Sequence, residues 1–412
     1  MKERKERTLW NDGAKTVAAS LLSILMGVVF GGLLLLLAAL LLNNIPLSSA
    51  WEGFRIVLGG IFNTGRDYDR GSAITFGFNA RLLGDMLFRG TPLIMTGLSV
   101  ALAYKTGLFN IGAPGQYLMG TAASLMVALG MDTSVVPAPL VWLLAFCAAI
   151  LAGALWGCIP GLFKAYLNVN EVITSIMTNW IAANLVTMLF DGSRFINNVD
   201  YGKTGYCLKT SSNGVATAKL GLDFGGSSAN AGILIAVAFA VVTYVVINKT
   251  IFGYELRSCG SNKNAARYAG MNEKRNIVLS MAIAGGLSAA GAALYFLQGD
   301  VEFYWHTSMA LPATGFNGIP VALLASCSPI GCVFSGLFMA YLTISGSQLS
   351  NLTAYNEYIA DIIVAVIVYL SAFTLFFKSL MDRKKAGKAG TPKSEPAPAA
   401  PAAETVGKEA QP

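Results

Sequence analysis

From Lys15 to Glu52 the chain carries no charged residue, and residues 17–42 within that gap are almost wholly apolar. An α-helix rises about 1.5 Å per residue, so roughly 20 apolar residues cross the ~30 Å hydrocarbon layer of a bilayer. The run ends without a small-residue cleavage site, which predicts an uncleaved first span rather than a removed signal peptide. Further apolar windows fall at 75–104, 114–131, 138–163, 172–190, 230–247, 277–297, 317–328, 330–349 and 358–378. With 54% hydrophobic and 12% charged residues and a mean hydropathy of +0.57, an ordinary soluble domain is excluded.

The pattern predicts an all-α polytopic membrane protein of about ten transmembrane helices (8–10), with broken or re-entrant segments. Window 317–328 is too short to cross and reads as half of a re-entrant element, and Pro92 is expected to kink or end the helix before it. The expected plan is a basic tail over 1–16, a membrane domain over 17–380, and a tail over 381–412. That last segment is Pro, Ala and charge with nothing to bury, so it should be disordered.

Lys and Arg set the orientation. If both termini are cytoplasmic, the inside holds 20 of the 29 basic residues and the outside 9, as the positive-inside rule requires. The net charge of +7 then reflects topology rather than nucleic-acid binding. Loop 191–229 lies outside and polar segment 249–275 inside. Arg81, Asp85 and Arg89 are spaced four apart, so on a helix Asp85 should pair on both sides at the outer rim.

Chemistry-bearing motifs are scarce. The six cysteines, Cys147, Cys158, Cys207, Cys259, Cys327 and Cys332, form no CxxC pair and read as small core residues. His306 is the single histidine, a surface or packing residue rather than a metal ligand; no metal site and no cofactor are expected. "GKT" at Gly202–Thr204 lacks the P-loop glycine, since Asn197 stands in its place. Gly153, Gly157 and Gly161, like Gly27 and Gly31, recur every four residues, a spacing that lets helices approach closely.

Two polar stretches remain. The middle of the inner connection, "NKNAARYAGMNEKRN", is helix-compatible and held between two spans; it reads either as a docking element or as a solvated loop whose basic residues fix orientation. The other, "GLFNIGAPGQ" at 107–116, breaks the backbone beside very apolar sequence. Pro114 sits where a new helix would begin, at no cost in a first turn. Such a break is tolerated only where it lines a cavity or is covered by protein. Asn110 and Gln116 are then the polar groups it exposes, at mid-membrane or at the cytoplasmic rim. Asn110, Gln116, Glu171, Asn179 and Asn317 are the candidates for a translocation pathway, because amides and acids in apolar windows are costly unless they face protein or water. Interhelical hydrogen bonds that merely hold the bundle are the alternative for each, and Glu171 also suits a helix N-terminus.

"LRSCGSNKNAARYAGM" at 256–271 resembles the cytoplasmic coupling segment of ATP-binding-cassette importer permeases, in the branch that carries branched-chain amino acids, ribose and nucleosides. Asn264 stands where the general pattern has Glu. "TPLIMTGLSVALAYKTGLFNIGAPGQYLMG" at 91–120 is similar to a signature of the same branch, in which many relatives carry Glu at the position of Pro114. "NEVITSIMTNWIA" at 170–182 and "TGFNGIPVALLA" at 314–325 look most like guanosine-type permeases.

The resemblance covers about 85–375. It implies a multi-pass permease of the bacterial plasma membrane, with a separate ATPase subunit that binds the ATP, a second and related permease, and an external substrate-binding lipoprotein. It also implies docking through Asn264, Ala265, Ala266, Arg267, Tyr268, Ala269 and Gly270, with Tyr268 as the aromatic anchor and Arg267 as a fork of donors. A sugar or branched-chain amino acid substrate is the alternative to a nucleoside. A stand-alone secondary transporter using Asp361 or Glu171 is disfavoured by the coupling-like segment, and a membrane enzyme by the lack of a catalytic constellation.

Overall fold

The computed structural model describes residues 2–42, 45–67, 73–197, 202–207, 215–305 and 311–371, together with 373, 376 and 379. His306 and the tail over 381–412 lie outside the described residues, as do parts of loop 191–229.

In chain order the helices are α1 (Lys2–Leu41), α2 (Leu47–Gly59), α3 (Ala80–Lys105), α4 (Ala113–Gly130), α5 (Ala138–Leu167), α6 (Glu171–Phe190), α7 (Gly232–Lys249), α8 (Ile251–Ser261), α9 (Lys263–Tyr268), α10 (Glu273–Phe296), α11 (Ala313–Leu324), α12 (Pro329–Leu352) and α13 (Glu357–Ser371). Each of the ten apolar windows contains most or all of a helix. Seven of these, among the described residues, are long and apolar enough to cross a membrane unaided: α1 from Leu21, α3, α5, α6, α7, α10 and α12. The remaining three windows correspond to α4 (18 residues), α11 (12) and α13 (15).

Side chains start many of these helices where the sequence leaves N–H groups unpaired. Asn79, Asn170, Thr250, Asn262, Asn272 and Ser328 each accept from a first-turn N–H, the usual N-cap chemistry. Pro92 does not end its helix, contrary to one expectation: α3 runs through it without interruption. The other departure is a small antiparallel hairpin, β1 (Asn63–Asp67) and β2 (Ala73–Phe76), pairing Gly65 with Thr75 and Asp67 with Ala73. Its second strand takes up the start of window 75–104.

The core is α3 and α10, with 83% and 78% of their apolar windows buried, against 17–50% for the other five spanning helices. Helix α10 crosses α5 on the predicted glycine face: a Cβ on Gly157 would meet the Met281 carbonyl at 2.3 Å, and one on Gly153 the Gly285 carbonyl at 2.5 Å. Gly27 likewise seats the backbone of Ile367, so the first and last helices pack side by side. Helix α11 stops short at a turn where Ser326 and Cys327 have φ of 50° and 54°, and α12 restarts from Pro329. The short window is thus a half-helix followed by a new helix.

Candidate functional site

At one end of the bundle, α8 and α9 form a platform between α7 and α10. The Asn262 Oδ1 accepts from the Ala265 N–H at 3.1 Å and starts α9. Gly270, with φ of 80°, ends it, a left-handed position that favours glycine. Ala266 alone of the docking candidates faces inward, at 3% exposure; Asn264, Ala265, Arg267, Ala269 and Gly270 are exposed, and Tyr268 is 92% exposed. A groove of about 250 Å³ runs beside the helix, lined by Tyr254, Ser258, Asn262, Ala265, Ala269 and Met271. An aromatic side chain held out beside a groove is suited to a protein interface rather than to solvent.

The chain break begins on this platform. Thr106 Oγ1 lies 2.6 Å from Ser280 Oγ, and a Cβ on Gly107 would be 3.1 Å from the Gly260 Cα. The Ala113 carbonyl accepts from Ser288 Oγ at 2.8 Å, eight residues further along α10 and so about 12 Å deeper. Rim and interior are therefore both involved: irregular backbone climbs from one to the other before α4 starts.

The amides inside serve this backbone. Asn110 Nδ2 donates to Ser99 Oγ at 2.9 Å and to Gln116 Oε1 at 2.8 Å, while Gln116 Nε2 donates back to Asn110 Oδ1 at 3.1 Å. Asn110 Oδ1 also accepts from the Gly112 N–H at 3.1 Å. Asn179, from α6, accepts from the Gly115 N–H and donates to the Ile111 carbonyl, both at 2.9 Å. All three amides are at most 1% exposed. The expectation that the break exposes Asn110 and Gln116 is corrected accordingly, because unpaired backbone groups in an apolar bundle are costly and these side chains satisfy them.

Glu171 begins α6 and pairs with Lys164 at 2.8 Å. It borders a cleft of about 320 Å³ lined by Tyr104, Gly107, Leu108, Phe109 and Gly260, which joins the break to the platform. Asn317 is half-buried on α11; its neighbours Gly315 and Gly318 pack on Pro114 and Thr96.

A different face of α6 was not anticipated. Met177, Trp180, Ile181, Asn184, Leu185 and Met188 line an open groove of about 470 Å³. Asn184 is exposed, and among the described residues its Nδ2 donates only to the Trp180 carbonyl one turn back, at 2.8 Å. The 177, 180/181, 184 and 188 spacing was visible as a helical stripe, but nothing in the sequence says which stripe the bundle leaves uncovered.

At the far end Asp85 does not pair with Arg81 or Arg89; its Oδ1 accepts from the Ser228 N–H at 3.0 Å, a loop N–H with no helical partner. Glu302 accepts from Thr204 Oγ1 and the Cys207 N–H, both at 3.1 Å. Burial, and then the Glu302 carboxylate, push the Cys207 thiol up to about 12. Cys259, Cys327 and Cys332 are buried as expected, but Cys147 is exposed on the outer face of α5. Among the described residues no three His, Cys, Asp or Glu side chains come together as a metal site.

Known proteins resemble this chain in sequence. Residues 82–372 match the family described as branched-chain amino acid transport system / permease component. The guanosine ABC transporter permease protein NupP of Bacillus subtilis is 32% identical over 89% of this chain and 95% of its own. The nucleoside ABC transporter permease protein NupB of Lactococcus lactis is 34% identical over 76% and 84%, and the glucose ABC transporter permease protein TsgB13 of Haloferax volcanii is 35% identical over 72% and 77%. No solved structure matches the chain. Because the matched residues take in nearly all of α3 through α13 and the platform between α7 and α10, the chain belongs to the permease family of branched-chain amino acid transport systems, the multi-pass membrane components of ATP-binding-cassette transporters.

Proposed function

We propose that this permease carries nucleosides inward, and that the platform formed by α8 and α9 docks on a separate ATP-binding subunit. The observation that carries the docking reading is Tyr268, 92% exposed on a helix fixed at both ends. Arg267 and the adjacent groove complete the surface, while Asn264, Ala265, Ala269 and Gly270 shape its exposed side and Ala266 seats it on the bundle. The platform end then faces the cytoplasm, with both termini on that side, a reading supported by the distribution of the basic residues. A second, related permease and an external substrate-binding lipoprotein complete the transporter. The permease supplies a path and a coupling surface; ATP is hydrolysed elsewhere, and the chain needs no cofactor of its own.

For the pathway, Asn110, Gln116 and Asn179 build the wall by fixing the backbone break. Glu171 sits at its cytoplasmic mouth, and Asn317 lines it from α11. The nucleoside assignment is favoured by NupP and NupB, and the glucose permease TsgB13 supports a sugar as the second reading. Co-purification with an ATP-binding subunit tests docking. Uptake of labelled guanosine by the assembled transporter, challenged with other nucleosides, ribose, glucose and leucine, tests the substrate. Guanosine uptake blocked only by nucleosides is the expected outcome; transport of a sugar or leucine without guanosine refutes it.

A further inference from the structure

We infer that the open groove on α6 is a nucleoside contact site, in which Trp180 offers its ring to the base and Asn184 hydrogen-bonds a base or ribose edge. This rests on the nucleoside reading above. Helix α6 is 20 residues long, so Trp180 lies about 14 Å and Asn184 about 20 Å from its start, both within hydrocarbon depth. A tryptophan in an interfacial belt would sit at one end of the span instead.

Asn184 is exposed and spends one N–H on the Trp180 carbonyl, which leaves its carbonyl oxygen and second N–H without a partner among the described residues. Beyond that bond, neither the Trp180 nor the Asn184 side chain has a hydrogen-bonding partner among the described residues. Polar groups of this kind are strongly disfavoured against lipid, so the face they occupy meets water or a polar partner. An amide offers donor and acceptor together, as base and ribose edges require. Indole rings stack on any base, and Met177 and Met188 supply adaptable walls. The groove measures about 470 Å³ and is open along one side.

The outer face of α5 supplies the contrast, since most of the large side chains exposed along it are leucines, among them Leu140, Leu144, Leu151 and Leu155, with Phe163 and Tyr166 only near its end. That face is built for lipid.

The test uses the complete transporter in proteoliposomes with labelled guanosine, scored per assembled complex. Trp180→Leu and Asn184→Leu each lower guanosine uptake about tenfold or more, the scale of one lost stacking or amide contact, while Leu155→Ala does not. Unchanged uptake by both variants overturns the inference and leaves the nucleoside reading standing. A wild-type transporter that carries a sugar and no nucleoside overturns both. If the variants instead lose the second permease while the complex that does assemble transports normally, α6 is a subunit contact and the inference fails. A variant that does not fold is replaced by Asn184→Cys in a Cys147→Ser background. Its new thiol reacts with a water-soluble maleimide and is protected by guanosine; a thiol unreactive to that reagent faces lipid and overturns the site.

Discussion

Asn179 and Asn184 share one helix, about 140° apart around its axis, and their surroundings are opposite. Asn179 is 1% exposed and bonded on both sides to the broken backbone of residues 111–115. Asn184 is exposed and, among the described residues, its side chain bonds only its own helix. Amides in a membrane protein therefore divide by what they satisfy: the first completes the fold, and the second has capacity left for something that is not part of this chain. The same division separates the buried trio of Asn110, Gln116 and Asn179 from Tyr268 on the platform.

The sharpest way to break the comparison is Asn179→Leu. It leaves the Gly115 N–H and the Ile111 carbonyl unpaired in a closed interior, at about 1–3 kcal/mol for each group. Thermal unfolding in detergent should drop markedly, with loss of assembled transporter; melting like that of the wild type would show that the inner face is not structural. Tyr268→Ala should behave in the opposite way, with the same melting temperature but about 2 kcal/mol or more of docking lost, or roughly 30-fold in affinity for the ATP-binding subunit. A titration of that subunit onto the purified permease reads this directly. Asn184→Leu should change stability by less than about 0.5 kcal/mol, because no buried partner is orphaned, and a large loss of stability would move it to the side of Asn179.

The smallest effect concerns the native thiols. Cys207, held up at about 12 by burial and Glu302, is almost wholly protonated at pH 8. Its alkylation should be slow there and accelerate as the pH rises toward that value. Rapid modification at neutral pH would mean that the contact with Glu302 is not kept in solution.

The spans were legible because crossing a bilayer demands long apolar runs, and each such run became a helix. The platform was legible as a polar, helix-compatible stretch held between two spans, and the close crossing of α5 on α10 through glycines at every fourth position. The hairpin over 63–76 was not, since its strands are short and one is charged. The ladder of Arg81, Asp85 and Arg89 failed because spacing counts only neighbours on the same helix, whereas Asp85 found a loop N–H from 143 residues away. Spacing placed Asn179 and Asn184 on different sides of α6, yet only packing decides which side is covered. That is why the first was chosen from the sequence and the second was not.

Where Gly107 meets Gly260, two stretches of main chain touch with no side chain between them. Side chains in such joints act as springs, absorbing displacement by changing rotamer. Here there is no spring, and a shift of α8 by a fraction of an ångström has no slack to take up before it presses on the chain that climbs toward Asn110. The closeness of that joint is set by two missing methyl groups.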